Sequence, residues 1–184
     1  MRYLLTNHLY YDWTALIDSP ARDRMASDIK RTVAEGKYWT NSPPYQTNIN
    51  IFGLPSNDWV NLKMSFLWSC FAYLQKEVQI KSVKSWGYMT NLSTETNRDN
   101  YWHNHIRPDA QVLSGVFYLR MPENINLDMA GTEFAPNGVE DPASYHFAPA
   151  RIGNWIIWPG KEWHRPGILQ SQQDRFIVAA DMEF

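Results

Sequence analysis

The chain holds five histidines: His8, His103, His105, His146 and His164. Two of them form His103-Asn104-His105, an i, i+2 pair. On a strand that spacing projects both imidazoles to one face, close enough to share a metal ion. A third ligand must come from elsewhere in the fold. His164 leads, because it follows the strand-like run Trp155-Ile156-Ile157-Trp158 and the turn Pro159-Gly160. That context sets it at a strand end, near the mouth of a barrel. His8 lies in an N-terminal extension, and His146, between Tyr145 and Phe147, has no comparable setting. A His-x-His pair alone is a weak signal, common on surfaces that bind nothing.

Arg175 opens an apolar run, Arg175-Phe176-Ile177-Val178-Ala179-Ala180-Asp181. An arginine facing such an interior needs an anion, and its planar fork suits a carboxylate held at two points. The alternatives are a partner within the chain, such as Asp174 or Glu162, or a guanidinium that stays in water.

The elements that must position these groups divide the chain in two. Ser19-Pro20 reads as an N-cap with proline in the first turn. Met25, Ile29 and Val33 then recur every four residues, and Gly36 stops the helix. Residues 37–56, with Pro43, Pro44, Gly53 and Pro55, read as loop with one short strand over 47–52. A second helix starts near Asn57-Asp58. Its apolar stripe Val60, Met64, Leu67, Phe71, Leu74, Val78 is expected to face the core. After Lys81 the pattern changes to short runs rich in β-branched and aromatic residues, over 83–92, 111–119, 152–158 and 175–182. Strands without intervening helices argue for an antiparallel sandwich or barrel. The expected organisation is one domain, with a helical part over 1–80 packed on a β core over 81–184.

Composition narrows the function classes. At 184 residues the chain can bury one sizeable core. The apolar fraction is 44 % and the charged fraction 20 %, ordinary for a soluble domain. Net charge is −2, with no basic stripe, so no nucleic-acid partner is expected. The lone Cys70 excludes an internal disulfide and a cysteine zinc site. No run approaches the length of a membrane span, and the N-terminus lacks a signal-peptide pattern, so a cytoplasmic location is expected. Nine Trp and ten Tyr give bulk for a small core and walls for a pocket. Oligomeric state is not legible; pairing of two copies through an edge strand is compatible with the pattern.

Taken in order, the motifs of residues 83–184 resemble the Fe(II)/2-oxoglutarate-dependent oxygenases. The resemblance is closer to the small prolyl-hydroxylase-like group found among phage, marine bacterial and cyanobacterial proteins. Ser85-Trp86-Gly87-Tyr88 is similar to the strand before the metal loop, and Trp102-His103-Asn104-His105 to the first metal motif. Leu113-Ser114-Gly115-Val116-Phe117-Tyr118-Leu119, then Pro122, resembles that group's characteristic strand. Gly153-Asn154-Trp155-Ile156-Ile157-Trp158-Pro159 through His164, then Asp174-Arg175-Phe176-Ile177-Val178-Ala179, resembles its closing motif.

The resemblance implies a double-stranded β-helix, or jelly roll, mainly β, preceded by N-terminal helices. It implies Fe(II) as metal, held by His103 and His164, with 2-oxoglutarate as co-substrate and dioxygen as oxidant. It implies that Arg175 pairs with the distal carboxylate of 2-oxoglutarate and that Tyr118 adds its hydroxyl. It also implies hydroxylation of an unactivated C–H bond in a substrate that the sequence does not name. Alternate aromatics near the motifs, Trp86, Tyr88, Tyr101 and Trp155, are expected to line the substrate pocket. The polar stretch 94–100 reads as a lid. Residues 124–145, the longest irregular segment, are placed beside the substrate. For a phage protein the compartment would be the host cytoplasm.

One position departs from the family. Its first motif ends in a carboxylate, His-x-Asp or His-x-Glu, and here His105 stands in that place. Either His105 ligates, giving a three-histidine site, or a carboxylate such as Asp109 or Glu133 completes the triad, or the position is left to an exogenous ligand. The spacing favours His105. A neutral imidazole in place of a carboxylate leaves the centre more positive, and such a site also takes zinc or nickel well. Two rival readings follow: a cupin-like three-histidine metalloenzyme that does not use 2-oxoglutarate, and a non-catalytic jelly-roll binding module.

Overall fold

A computed structural model describes residues 9–39, 45–94 and 102–184. His8, Tyr101 and residues 95–100 of the expected lid lie outside the described residues. In chain order the elements are β1 (Tyr11–Thr14), α1 (Ser19–Ala34), β2 (Tyr45–Gln46), α2 (Asn57–Leu74), β3 (Ser82–Thr90), β4 (Val112–Arg120), β5 (Thr132–Phe134), β6 (His146–Ala148), β7 (Asn154–Pro159), β8 (His164–Pro166) and β9 (Arg175–Glu183). They form a six-stranded antiparallel sheet in the order β1-β7-β4-β9-β3-β2 and a three-stranded sheet in the order β6-β5-β8. The fold is a jelly roll with two flanking helices, as the sequence motifs imply.

The four long strands follow the two-residue period of a sheet buried on both faces. Leu113 and Phe117 of β4, Trp155 and Ile157 of β7, and Phe176, Val178, Ala180 and Met182 of β9 join Met25, Ile29, Trp59, Leu62 and Phe66 in one core beneath the helices. The alternate residues Val116, Tyr118, Ile156, Trp158 and Ile177 form a second core between the sheets. Each large side chain fully buried in this way contributes about 1.5–3 kcal/mol. Gly87 is required on the helix side: a Cβ there would sit 2.6 Å from the Ile29 side chain.

The helices begin where polar caps stand. Asp18, one residue before the expected cap, accepts from Ala21 N at 2.8 Å, and Gly36 follows the last turn of α1 at φ +75°. Ser56 accepts from Trp59 N at 3.4 Å to open α2. The expected core stripe of α2 is corrected. Its buried face is Trp59, Leu62, Phe66, Ser69 and Cys70, whereas Val60 is 53 % and Met64 45 % exposed. Two overlapping apolar stripes run along this helix, and the sheet takes the one carrying Trp59 and Phe66, which bury more area. The strand expected over 47–52 is also displaced: the pairing is made by Tyr45–Gln46, and Ile51–Gly53 forms a 3-10 turn. Nor do helices alone precede the barrel, since β1 and β2 are the two edges of the large sheet. No helix among the described residues is long and apolar enough to cross a membrane.

Candidate metal centre

His103 and His164 are opposite one another in an isolated antiparallel bridge. His103 N donates to His164 O at 3.1 Å and His164 N to His103 O at 3.0 Å. Directly opposed residues of an antiparallel pair present their side chains to one face. Two residues on, His105 N donates to Gly160 O at 2.6 Å. Gly160 lies against Val112, where an added Cβ would stand 2.8 Å from the valine side chain. The connection from β7 to β8 therefore folds tightly under the metal loop.

The result is convergence of the three imidazoles. Ring centroids are 4.2 Å apart for His103 and His164, and 5.1 Å apart for each of the other two pairs. One ring nitrogen from each lies within 4.8 Å of the others. Hydrogen bonds decide which nitrogens are available. His164 Nδ1 lies 2.9 Å from Glu162 O, a carbonyl that can only accept, so Nδ1 carries the proton and Nε2 the lone pair. His105 Nδ1 lies 2.6 and 2.7 Å from the two oxygens of Asp181, which leaves its Nε2 likewise. Burial, then the neighbouring His103 and His105, hold His164 well below the ordinary imidazole pKa. A neutral ring is the form that ligates a metal. Three imidazole nitrogens on one side of a cavity fit a divalent first-row ion such as Fe(II), and they suit zinc equally.

No carboxylate belongs to this cluster among the described residues. Glu133 is buried and its Oε2 accepts Arg165 Nε at 2.6 Å. Asp109 is exposed, and its backbone carbonyl receives Lys81 Nζ. Among the described residues neither joins the three-histidine cluster.

The three histidines open on a cavity of about 500 Å³, also lined by Arg175, Tyr118, Trp86, Tyr88, Thr90 and Thr132. Arg175 is 1 % exposed and points inward from the start of β9. Its Nε donates to Thr90 Oγ1 at 3.0 Å, across the β3–β9 register that pairs the two residues. Its Nη1 donates to Ala130 O at 2.9 Å and Gly167 O at 3.3 Å. Asp174 is engaged by Asn91 Nδ2 at 2.9 Å. The guanidinium is thus held rigidly at the cavity wall rather than in water. Tyr118 OH lies 2.9 Å from Thr132 Oγ1, and burial pushes its pKa up to about 12, so the phenol keeps its proton and can donate.

Trp86 and Tyr88 line the cavity as expected, Trp86 standing edge-on to His105 at 6.2 Å between centroids. Trp155 does not. It packs on Phe66 and Phe117 beneath α2, and its Nε1 donates to Ser65 Oγ at 2.9 Å. Strand alternation is the reason: Trp158, three positions on and of opposite parity, lines the cavity instead, 4.7 Å from His164. His146 is exposed at the start of β6, outside the cluster. Within 124–145, β5 supplies Thr132 to the cavity wall.

Asp181, Ser114, Thr90 and Thr132 were missed by the sequence reading. Counting in twos from Arg175 reaches Asp181 and would have flagged an acid on the cavity face. Thr90 and Thr132 carry no such signal, since they depend on strand register.

No family model matches the chain, and no curated protein matches it. Solved structures do resemble it. A Pseudomonas putida prolyl-4-hydroxylase is 12 % identical, with a TM-score of 0.63 over 96 % of this chain and 93 % of that one. The alpha-ketoglutarate-dependent epimerase SnoN of nogalamycin biosynthesis is 11 % identical, with a TM-score of 0.67 over 95 % and 78 %. A prolyl hydroxylase from Trichoplax adhaerens, solved with a hypoxia inducible factor peptide fragment, is 11 % identical, with a TM-score of 0.59 over 96 % and 83 %. At such identities the likeness is one of fold: the chain shares the jelly roll of these structures.

Proposed function

We propose that this chain is an Fe(II)- and 2-oxoglutarate-dependent oxygenase that hydroxylates a C–H bond of a second substrate. One observation carries the reading. A single cavity holds three convergent imidazoles and, on its wall, a buried arginine with a protonated tyrosine. Those are the two ends that a keto acid with a distal carboxylate requires.

His103, His105 and His164 would hold the metal through neutral ring nitrogens. Bound there, Fe(II) supplies reductive activation of dioxygen, coupled to oxidative decarboxylation of the keto acid. In the overall balance 2-oxoglutarate and O2 give succinate and CO2, one oxygen atom entering succinate and the other the C–H bond. Arg175 offers charge-assisted hydrogen bonds to the distal carboxylate, and its anchors on Thr90, Ala130 and Gly167 fix its direction before the ligand arrives. Tyr118 can donate to the same carboxylate. Ile177, two residues from Arg175 on the same cavity face of β9, gives that end an apolar neighbour, which strengthens those bonds. Trp86 and Tyr88 border the space left for the second substrate.

Structures of this fold include an epimerase and a carbocyclase besides hydroxylases, so the outcome at carbon is the finest part of the proposal. His105 in place of an acid favours a second reading, a three-histidine metalloenzyme that does not use 2-oxoglutarate. Anaerobic titration separates the two. With Fe(II) bound, 2-oxoglutarate should produce a metal-to-keto-acid charge-transfer band, and Arg175→Ala should weaken its titration. Metal binding without that band would overturn the proposal and leave the second reading.

A further inference from the structure

Asp181 lies on the cavity face of β9 and is 2 % exposed. A carboxylate so buried is costly unless donors surround it. Two are present. Ser114, its register partner on β4, donates Oγ–H to Asp181 Oδ1 at 2.8 Å. His105 places Nδ1 2.7 Å from Oδ1 and 2.6 Å from Oδ2. Ser114 Oγ also lies 3.2 Å from that nitrogen, so serine, aspartate and imidazole form one closed group. The nearby cation Lys84, paired with Asp181 in the β3–β9 register, turns its ammonium to Glu183 instead, at 3.3 Å.

This arrangement answers the oddity of the histidine set. Three imidazoles bring no charge to a divalent ion. The buried carboxylate sits behind the third of them, on the nitrogen that faces away from ligation. A carboxylate accepting the Nδ1–H orients the ring and makes its Nε2 a stronger donor.

We propose that Asp181 is a positioning residue of the metal centre: its carboxylate holds the His105 Nδ1–H and supplies, one side chain behind the metal, the negative charge that a ligating carboxylate at position 105 would bring. The inference rests on His103, His105 and His164 holding a metal, as proposed above. Ser114 fixes the carboxylate, and the sheet register fixes Ser114.

The test uses the whole chain and two probes, Mn(II) followed by EPR under argon and Co(II) followed by its visible absorption. Asp181→Asn keeps an acceptor of the same shape and removes the charge; Asp181→Ala removes both. The expected result is 10- to 100-fold weaker metal binding for Asp181→Ala and an intermediate loss for Asp181→Asn. The Co(II) bands should shift in both. Ring 1H–15N correlation spectra should show the His105 Nδ1–H protected from solvent exchange in the wild type and lost to exchange in Asp181→Ala. Unchanged Co(II) bands and affinity within twofold in both variants, beside a wild type that binds one ion, overturn the inference alone. Equal affinity in His105→Ala overturns it as well. A wild type that binds neither ion overturns the three-histidine centre and the inference with it. Asp181→Asn covers the case in which Asp181→Ala does not fold.

Discussion

His103 and His164 come from segments far apart in the chain, yet they exchange two backbone hydrogen bonds, at 3.1 and 3.0 Å, and bring their rings to 4.2 Å between centroids. The histidine cluster is therefore clamped by main-chain pairing, and removal of either ring leaves the clamp intact. His103→Ala and His164→Ala should each fold with a near-normal thermal transition and lose stoichiometric binding of Fe(II). Metal analysis after anaerobic loading checks this. Full occupancy in either variant would remove that histidine from the ligand set.

Arg175 is held by Thr90 and two carbonyls, so its role can be probed by shape as well as charge. Arg175→Lys keeps the charge and loses the planar fork. It should raise the KM for 2-oxoglutarate roughly 10- to 100-fold, the loss of a charge-assisted bond, while Fe(II) affinity stays as in the wild type. Succinate formation against keto-acid concentration measures it. A KM equal to that of the wild type sinks the assignment.

The depressed basicity of His164 predicts an acid-sensitive metal-free protein. In the unfolded chain His164 takes up its proton near the ordinary value of 6.5, whereas in the folded chain it stays neutral to well below that. The unfolded state then binds more protons, so stability falls as pH drops below about 6.5 and levels off once the folded pKa is passed. Urea denaturation of the metal-free protein between pH 7.5 and pH 5 should show this slope. In His164→Gln the slope should be shallower; an unchanged slope would assign the acid sensitivity to other groups.

The two apolar stripes of α2 give a contrasting pair. Phe66→Ala removes a ring packed on Trp155 and Phe52 and should cost about 3–5 kcal/mol. Val60→Ser, on the exposed stripe, should stay within about 0.5 kcal/mol. Denaturant titration of both variants decides which face the barrel covers.

Gly131 lies where the small sheet meets the arginine anchor. A Cβ there would stand 1.9 Å from Ala148 O and 2.7 Å from Ala150 N, and Gly131 O receives Gly167 N at 2.6 Å. Both contacts are backbone and cannot swing away. Gly131→Ala should destabilise by about 1–3 kcal/mol and weaken 2-oxoglutarate binding, because Ala130 O and Gly167 O hold Arg175. Thermal denaturation with and without the keto acid measures both effects.

Parts of the molecule whose signal is local are legible in the chain alone. Period and capping placed α1, α2 and the four long strands, because sixteen or eighteen helical residues or nine alternating ones repeat often enough to be read. The ordered motifs carried the jelly roll and put His103, His105, His164, Arg175 and Tyr118 forward as site residues. Packing selects whatever depends on which face meets which neighbour. Three-residue strands β5, β6 and β8 are too short to show alternation, so the small sheet was illegible, and with it Thr132. On α2 two stripes fit the helical period, and only the sheet beneath selects Trp59, Leu62 and Phe66. Trp155 and Trp158 look alike in sequence, and strand parity alone sends the first to the helices and the second to the cavity. The third histidine could be placed by spacing, but the carboxylate behind it could not. Asp181 reaches His105 only because β9 lies next to β4 and turns its odd-numbered side chains to the cavity.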